Sequence, residues 1–113
     1  MPYDEGIAAV MREDLAGIRG IAEKKMFGGL AFMLEGNMVC GAYRDRGMFR
    51  VGKAREAEAR AVPGTREMDF NGRPMGGMVE ALPEALADDE TRGRLMALAL
   101  DHARSLPAKP PSS

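Results

Sequence analysis

The residues able to do chemistry are few and dispersed. The chain of 113 residues holds one cysteine, Cys40, and one histidine, His102. A nucleophilic thiol needs a base or a positive neighbour to lower its pKa. Here the two residues fall on different elements, and nothing in the sequence joins them. Cys40 lies mid-strand among small apolar residues and reads as a buried structural cysteine. His102 reads as a helix-face residue near a helix C-terminus, where partial positive charge is favourable. One Cys and one His do not make a soft-metal site within a single chain. Glu84, Asp88 and Asp89 could offer oxygens to a hard cation, but carboxylates at a helix start serve more often as caps. No metal and no cofactor are expected. Gly28-Gly29 precedes a strand and Gly76-Gly77 lies inside one. Neither is followed by the lysine and hydroxyl residue of a phosphate-cradling loop, so both mark a bulge or a close backbone approach. Arg73 stands between Gly72 and Pro74 in a hairpin loop, its backbone constrained and its side chain free to reach. It can pair with Asp69 or touch a ligand or partner. Lys25, Asp69 and Arg73 are the candidate contacts.

These residues are positioned by a central apolar hairpin. Leu30–Leu34 and Met38–Tyr43 read as two strands around a turn at Glu35-Gly36-Asn37. The closing pair is either Glu35–Met38 or Leu34–Asn37. Period-two alternation puts Leu30, Phe32, Leu34, Val39 and Tyr43 on one face and Ala31, Met33, Met38, Cys40 and Ala42 on the other. Both faces are apolar, which calls for cover on both sides. In the Glu35–Met38 register, Phe32 lies across from Gly41, an aromatic ring over a strand glycine.

Around this hairpin the chain predicts a helix near Asp4–Arg19, with Ile7, Val10, Met11, Leu15 and Ile18 as its stripe, Asp4 as N-cap and Gly20 as stop. A short strand over Glu23–Phe27 follows. After the hairpin come a strand at Met48–Val51, an alanine-rich helix at Lys53–Ala61, and a second hairpin of Thr65–Phe70 with Met75–Glu80 about Asn71-Gly72. The last helix runs from Asp88 to Ser105, with an acidic first turn that suits the helix dipole. The order α-β-β-β-β-α-β-β-α, with tight turns between strands, predicts an α+β fold of two layers: one mainly antiparallel sheet of about six short strands, with helices at both ends and one in the middle. Residues 1–106 make one domain and 107–113 a flexible Pro/Ser-rich tail.

Composition narrows the classes further. The hydrophobic content of 45% supports a real core, and ten methionines fill much of the role of scarce aromatics. No signal peptide is visible and no apolar run is long enough to span a membrane, so a cytoplasmic location is expected. The net charge of −1 argues against bulk electrostatic binding of nucleic acid. From Arg44 to Arg60 six basic residues stand against three acidic ones, but beyond Tyr43 and Phe49 no aromatics interleave them for base stacking. Direct nucleic-acid binding is not expected.

Lys25-Met26-Phe27-Gly28-Gly29, Gly36-Asn37-Met38, Arg50-Val51-Gly52, Met68-Asp69-Phe70 and Gly72-Arg73-Pro74-Met75 together resemble the N-terminal domain of TfoX/Sxy proteins. The resemblance runs to about Leu106 and implies a two-layer α+β domain without catalytic residues to carry over. In longer members this domain precedes a helical C-terminal domain, and the two regulate natural-competence genes. The resemblance favours a small non-enzymatic regulatory or protein-interaction domain. The alternative is a small-ligand binder or enzyme using Arg73, Lys25 and a carboxylate such as Asp69. A protein partner is expected, and a homodimer contact through the smooth face of Ala31, Met33, Met38, Cys40 and Ala42.

Overall fold

Asp4 opens the first element as its sequence suggests. Its Oδ1 accepts from the amides of Gly6 at 2.7 Å and Ile7 at 3.3 Å, capping helix α1, Glu5–Asp14. The computed structural model describes residues 3–26, 28–70 and 72–109. Strands β1 (Ile21–Met26), β2 (Gly29–Leu34), β3 (Asn37–Tyr43) and β4 (Arg46–Arg50) follow. A 3-10 turn, Lys53–Arg55, then runs into helix α2, Glu56–Arg60. Strands β5 (Thr65–Phe70) and β6 (Arg73–Ala81) and helices α3 (Pro83–Ala87) and α4 (Asp89–Ser105) complete the chain. The strands form one antiparallel sheet in the order β1-β2-β3-β4-β6-β5. The expected α+β class and six-stranded sheet are what the chain adopts.

Three readings need correction. Helix α1 ends at Asp14, five residues short of the expected end at Arg19, because Leu15 already leaves helical geometry. The short helix α3 was not foreseen: it begins at Pro83, whose missing N–H costs nothing at a first helical position. The third correction concerns the central hairpin. Its turn has two residues, Glu35 and Gly36, both at positive φ (50° and 81°), and the closing pair is Leu34–Asn37. The register then shifts: Met33 faces Met38, yet Phe32 faces Cys40, so Val39 is an extra residue in β3. Beyond this bulge every side chain changes face. Cys40 and Ala42 join Phe32 and Leu30 under the helices, and Tyr43 moves to the opposite side. Phe32 does not lie across Gly41, whose partner is Ala31.

The helix-covered core contains Phe32, Val39, Phe49 and Val79 from the sheet, with Met11 and Leu15 packed on them from α1 and its C-cap, and Leu95 and Ala99 from α4. Arg92 locks this layer. Its guanidinium, 8% exposed, donates to both carboxylate oxygens of Asp14 at 2.6 and 3.3 Å and to the Leu86 carbonyl at 2.7 Å, tying α4 to α1 and α3. Residues at the start of the Pro/Ser-rich end are tied to the sheet: Asn37 Nδ2 donates to the Pro107 carbonyl at 3.0 Å, and the Lys109 amide to the Glu35 carbonyl at 2.8 Å. No helix among the described residues is long and apolar enough to cross a membrane.

Candidate functional site

Alternation along each strand sends one residue in two to the face of the sheet away from the helices. On that face methionine recurs: Met26 on β1, Met33 on β2, Met38 on β3, Met48 on β4, Met68 on β5, and Met75 and Met78 on β6. With Ala31 and Tyr43 they form a second apolar cluster to which, among the described residues, no helix contributes. Seven of the ten methionines of the chain are here, while Met11 and Met96 belong to the helix-covered core. Ala31, Met38, Met48, Met68 and Met78 are buried, whereas Met26, Met33, Met75 and Tyr43 are partly exposed. Unbranched thioethers can fill this shallow, twisted surface and shift rotamer at low cost.

A charged row crosses the same face. Met48 faces Glu80, and Glu80 faces Arg66 in the strand register. Glu80 is 6% exposed and accepts from Arg66 on one side and from Arg46 Nη1 at 3.4 Å on the other. A carboxylate so placed is tolerable only because both neighbours are cations. On the same face Arg44 lies over Tyr43, its guanidinium 5.1 Å from the ring centre.

Of the residues singled out for a dimer face, Ala31, Met33 and Met38 lie on this surface, and Cys40 and Ala42 lie in the helix-covered core. The methionines at 26, 48, 68, 75 and 78 were missed. Their signal was available, since each sits on or next to an expected strand, but it emerges only when all six strands are put in register. Lys25 stands on β1, at one edge of the sheet, with β2, β3 and β4 between it and the β6 residue Arg73. Asp69 on the outer strand β5 faces Pro74. Among the described residues no hydrogen bond or ion pair joins Lys25, Asp69 and Arg73.

The other candidates resolve as local structure. Asp88 caps α4, accepting from the Thr91 amide at 3.1 Å and from its hydroxyl, and these bonds hold its carboxyl below the usual range. Asp89 receives Arg92 at 2.9 Å. No group of three metal-ligating residues occurs among the described residues. Gly77 does mark a bulge: its φ is 83°, and its carbonyl accepts from the amides of Val51 and Gly52 at 2.9 and 3.0 Å. Within the basic stretch 44–60, Arg46, Arg55 and Arg60 are engaged by carboxylates. His102 departs from expectation, because burial and then the nearby Arg50 push its pKa down, outweighing any gain from the helix C-terminus.

Cys40 is 0% exposed, and burial, with Asp14 adding to it, pushes the thiol well above its ordinary range. It should resist a thiol reagent in the native protein and react fully once denaturant unfolds the chain. Rapid stoichiometric labelling under native conditions would contradict the register that buries it.

A scan against family models matches the TfoX N-terminal domain over residues 13–103, from the end of α1 to the last turn of α4. No curated protein and no solved structure matches the chain. The family match spans all six strands, and on it the chain belongs to the TfoX N-terminal domain family.

Proposed function

We propose that this domain is a small non-enzymatic interaction module, serving a regulatory role of the kind its likeness to TfoX/Sxy proteins implies, and that its methionine face meets a second copy of the chain. One observation carries this reading: the face away from the helices is paved with methionine, and among the described residues no helix contributes to its cluster. A sheet face turned permanently to water alternates to polar residues. Here the buried carboxylate, Glu80, is already satisfied from both sides. The partly exposed Met33 and Tyr43 offer adaptable apolar area beside it. Two-fold self-association is the commonest way for such a face to be covered.

Sedimentation velocity on the full chain at micromolar concentration should report a dimer. Met33→Glu should weaken that dimer by roughly 100-fold or more, because the two-fold contact would bury a carboxylate with no partner. Met33 is only partly buried, so the variant should keep close to the parent melting temperature. A parent protein that stays monomeric at hundreds of micromolar would sink the proposal.

A further inference from the structure

A cleft of about 280 Å³ opens between the end of β4, the 3-10 turn and the last turns of α4. Gly52, Lys53 and Arg55 line one side, and Asp101, His102 and Ser105 the other. The sequence brings these two groups together through Gly52. Its φ is 85°, and a Cβ there would stand 2.6 Å from His102 Nδ1, so the imidazole lies directly against the glycine backbone. Among the described residues neither ring nitrogen has a hydrogen-bond partner. Burial and Arg50 favour the neutral ring, which presents one N–H and one lone pair.

The charges around the ring are unbalanced. Arg55 is held at the rim by Asp101 at 3.1 Å, both side chains about half exposed or more. The side chains of Lys53 and Arg50 have no ion pair or hydrogen bond among the described residues, in contrast to those of Arg46, Arg55 and Arg60 of the same stretch. Lys53 and Arg55 therefore line the cleft beside a neutral histidine, with Asp101 as the one carboxylate among its lining residues and the charge of Arg50 felt from outside it. Ser105 Oγ, which donates to the His102 carbonyl at 2.6 Å, keeps lone pairs and adds no charge. A compact dianion satisfies such a set. It would take a point charge from Lys53, a planar fork from Arg55 and an N–H from His102, and it would favour protonation of the ring.

We propose that this cleft binds a phosphate dianion, either free phosphate or the terminal group of a small phosphomonoester. The volume, near the lower end for ligand pockets, suits a ligand of that size. The site is separate from the methionine face and does not depend on it.

The sole histidine gives a single ring Hε1 resonance, so NMR can follow the site in the intact chain. Inorganic phosphate, titrated at constant ionic strength against sodium chloride, should shift the His102 ring signal and the Gly52 and Lys53 amides saturably, with a Kd on the order of 1 mM or tighter. The apparent pKa of His102 should be higher in phosphate than in chloride, since the dianion prefers the imidazolium. Lys53→Ala, a change at an exposed and unpaired side chain, should leave the fold intact and weaken phosphate by about tenfold or more. Methyl phosphate binding as tightly as inorganic phosphate would identify the monoester, and clear preference for inorganic phosphate the free ion. The proposal fails if the shifts match those in chloride, if Lys53→Ala binds like the parent, or if dimethyl phosphate, a monoanion, binds equally well.

Discussion

Phe32→Ala should cost about 3–5 kcal/mol. At roughly 4 °C per kcal/mol for a domain of this size, the melting temperature should fall by ~12–20 °C. The ring is 0% exposed and sits on β2 beneath the helix layer, in the same cluster as Phe49, Val79 and Leu95. Its removal opens a cavity within the core that the surrounding side chains cannot close without moving. The register makes the test sharper. Phe32 faces Cys40, so Phe32→Ala and Cys40→Ala should combine non-additively, by about 0.5 kcal/mol or more. Unchanged melting for Phe32→Ala would remove this face from the core. Strict additivity of the pair would argue for a register without the bulge.

That bulge explains much of what could and could not be read from the chain. The two strands of the hairpin, the Asp4 cap, the acidic first turn of α4 and the glycine bulge at 76–77 follow from local rules, each written in one or two residue types. Strand phase is written in contrast between polar and apolar residues, and Met38-Val39-Cys40-Gly41-Ala42 has none. Any parity of that run buries apolar side chains, so an inserted residue leaves no mark in composition. The cost of the slip is visible only in three dimensions, where it brings Cys40 and Ala42 to the helix side and hands Tyr43 to the methionine face.

The candidate sites were legible to different degrees. Abundant methionine signalled an adaptable surface, but which strands share it depends on the order β4-β6-β5, set by long-range pairing. The meeting of Gly52 with His102 was illegible, because the glycine follows a strand and the histidine ends a helix half the chain away. Nor could sequence proximity decide Arg73, whose neighbour Asp69 does not pair with it. Reach along the chain is a poor guide to reach in space once a hairpin bulges. At the junction of β5 and β6, Glu67 faces Val79 while Asp69 faces Pro74.

The paired glycines at the start of β2 separate two physical reasons for glycine, and mutating each should give unequal losses. Gly28 has φ 74° and open space where a Cβ would go, so Gly28→Ala meets only left-handed backbone strain, about 1–2 kcal/mol. Gly29 has no such φ, but a Cβ on it would press into the carbonyl oxygen of Ala42 on the neighbouring strand. Backbone cannot swing aside as a side-chain tip can. Gly29→Ala must therefore part β2 from β3 where Leu30 pairs with Ala42, close to the Val39 bulge. The expected loss is about 3 kcal/mol, the upper end of overpacking costs, even after the gain from replacing a strand glycine. Urea unfolding of both variants would decide the order. A Gly28→Ala loss equal to or larger than that of Gly29→Ala would mean that the turn, rather than the close approach of two strands, is what requires glycine here.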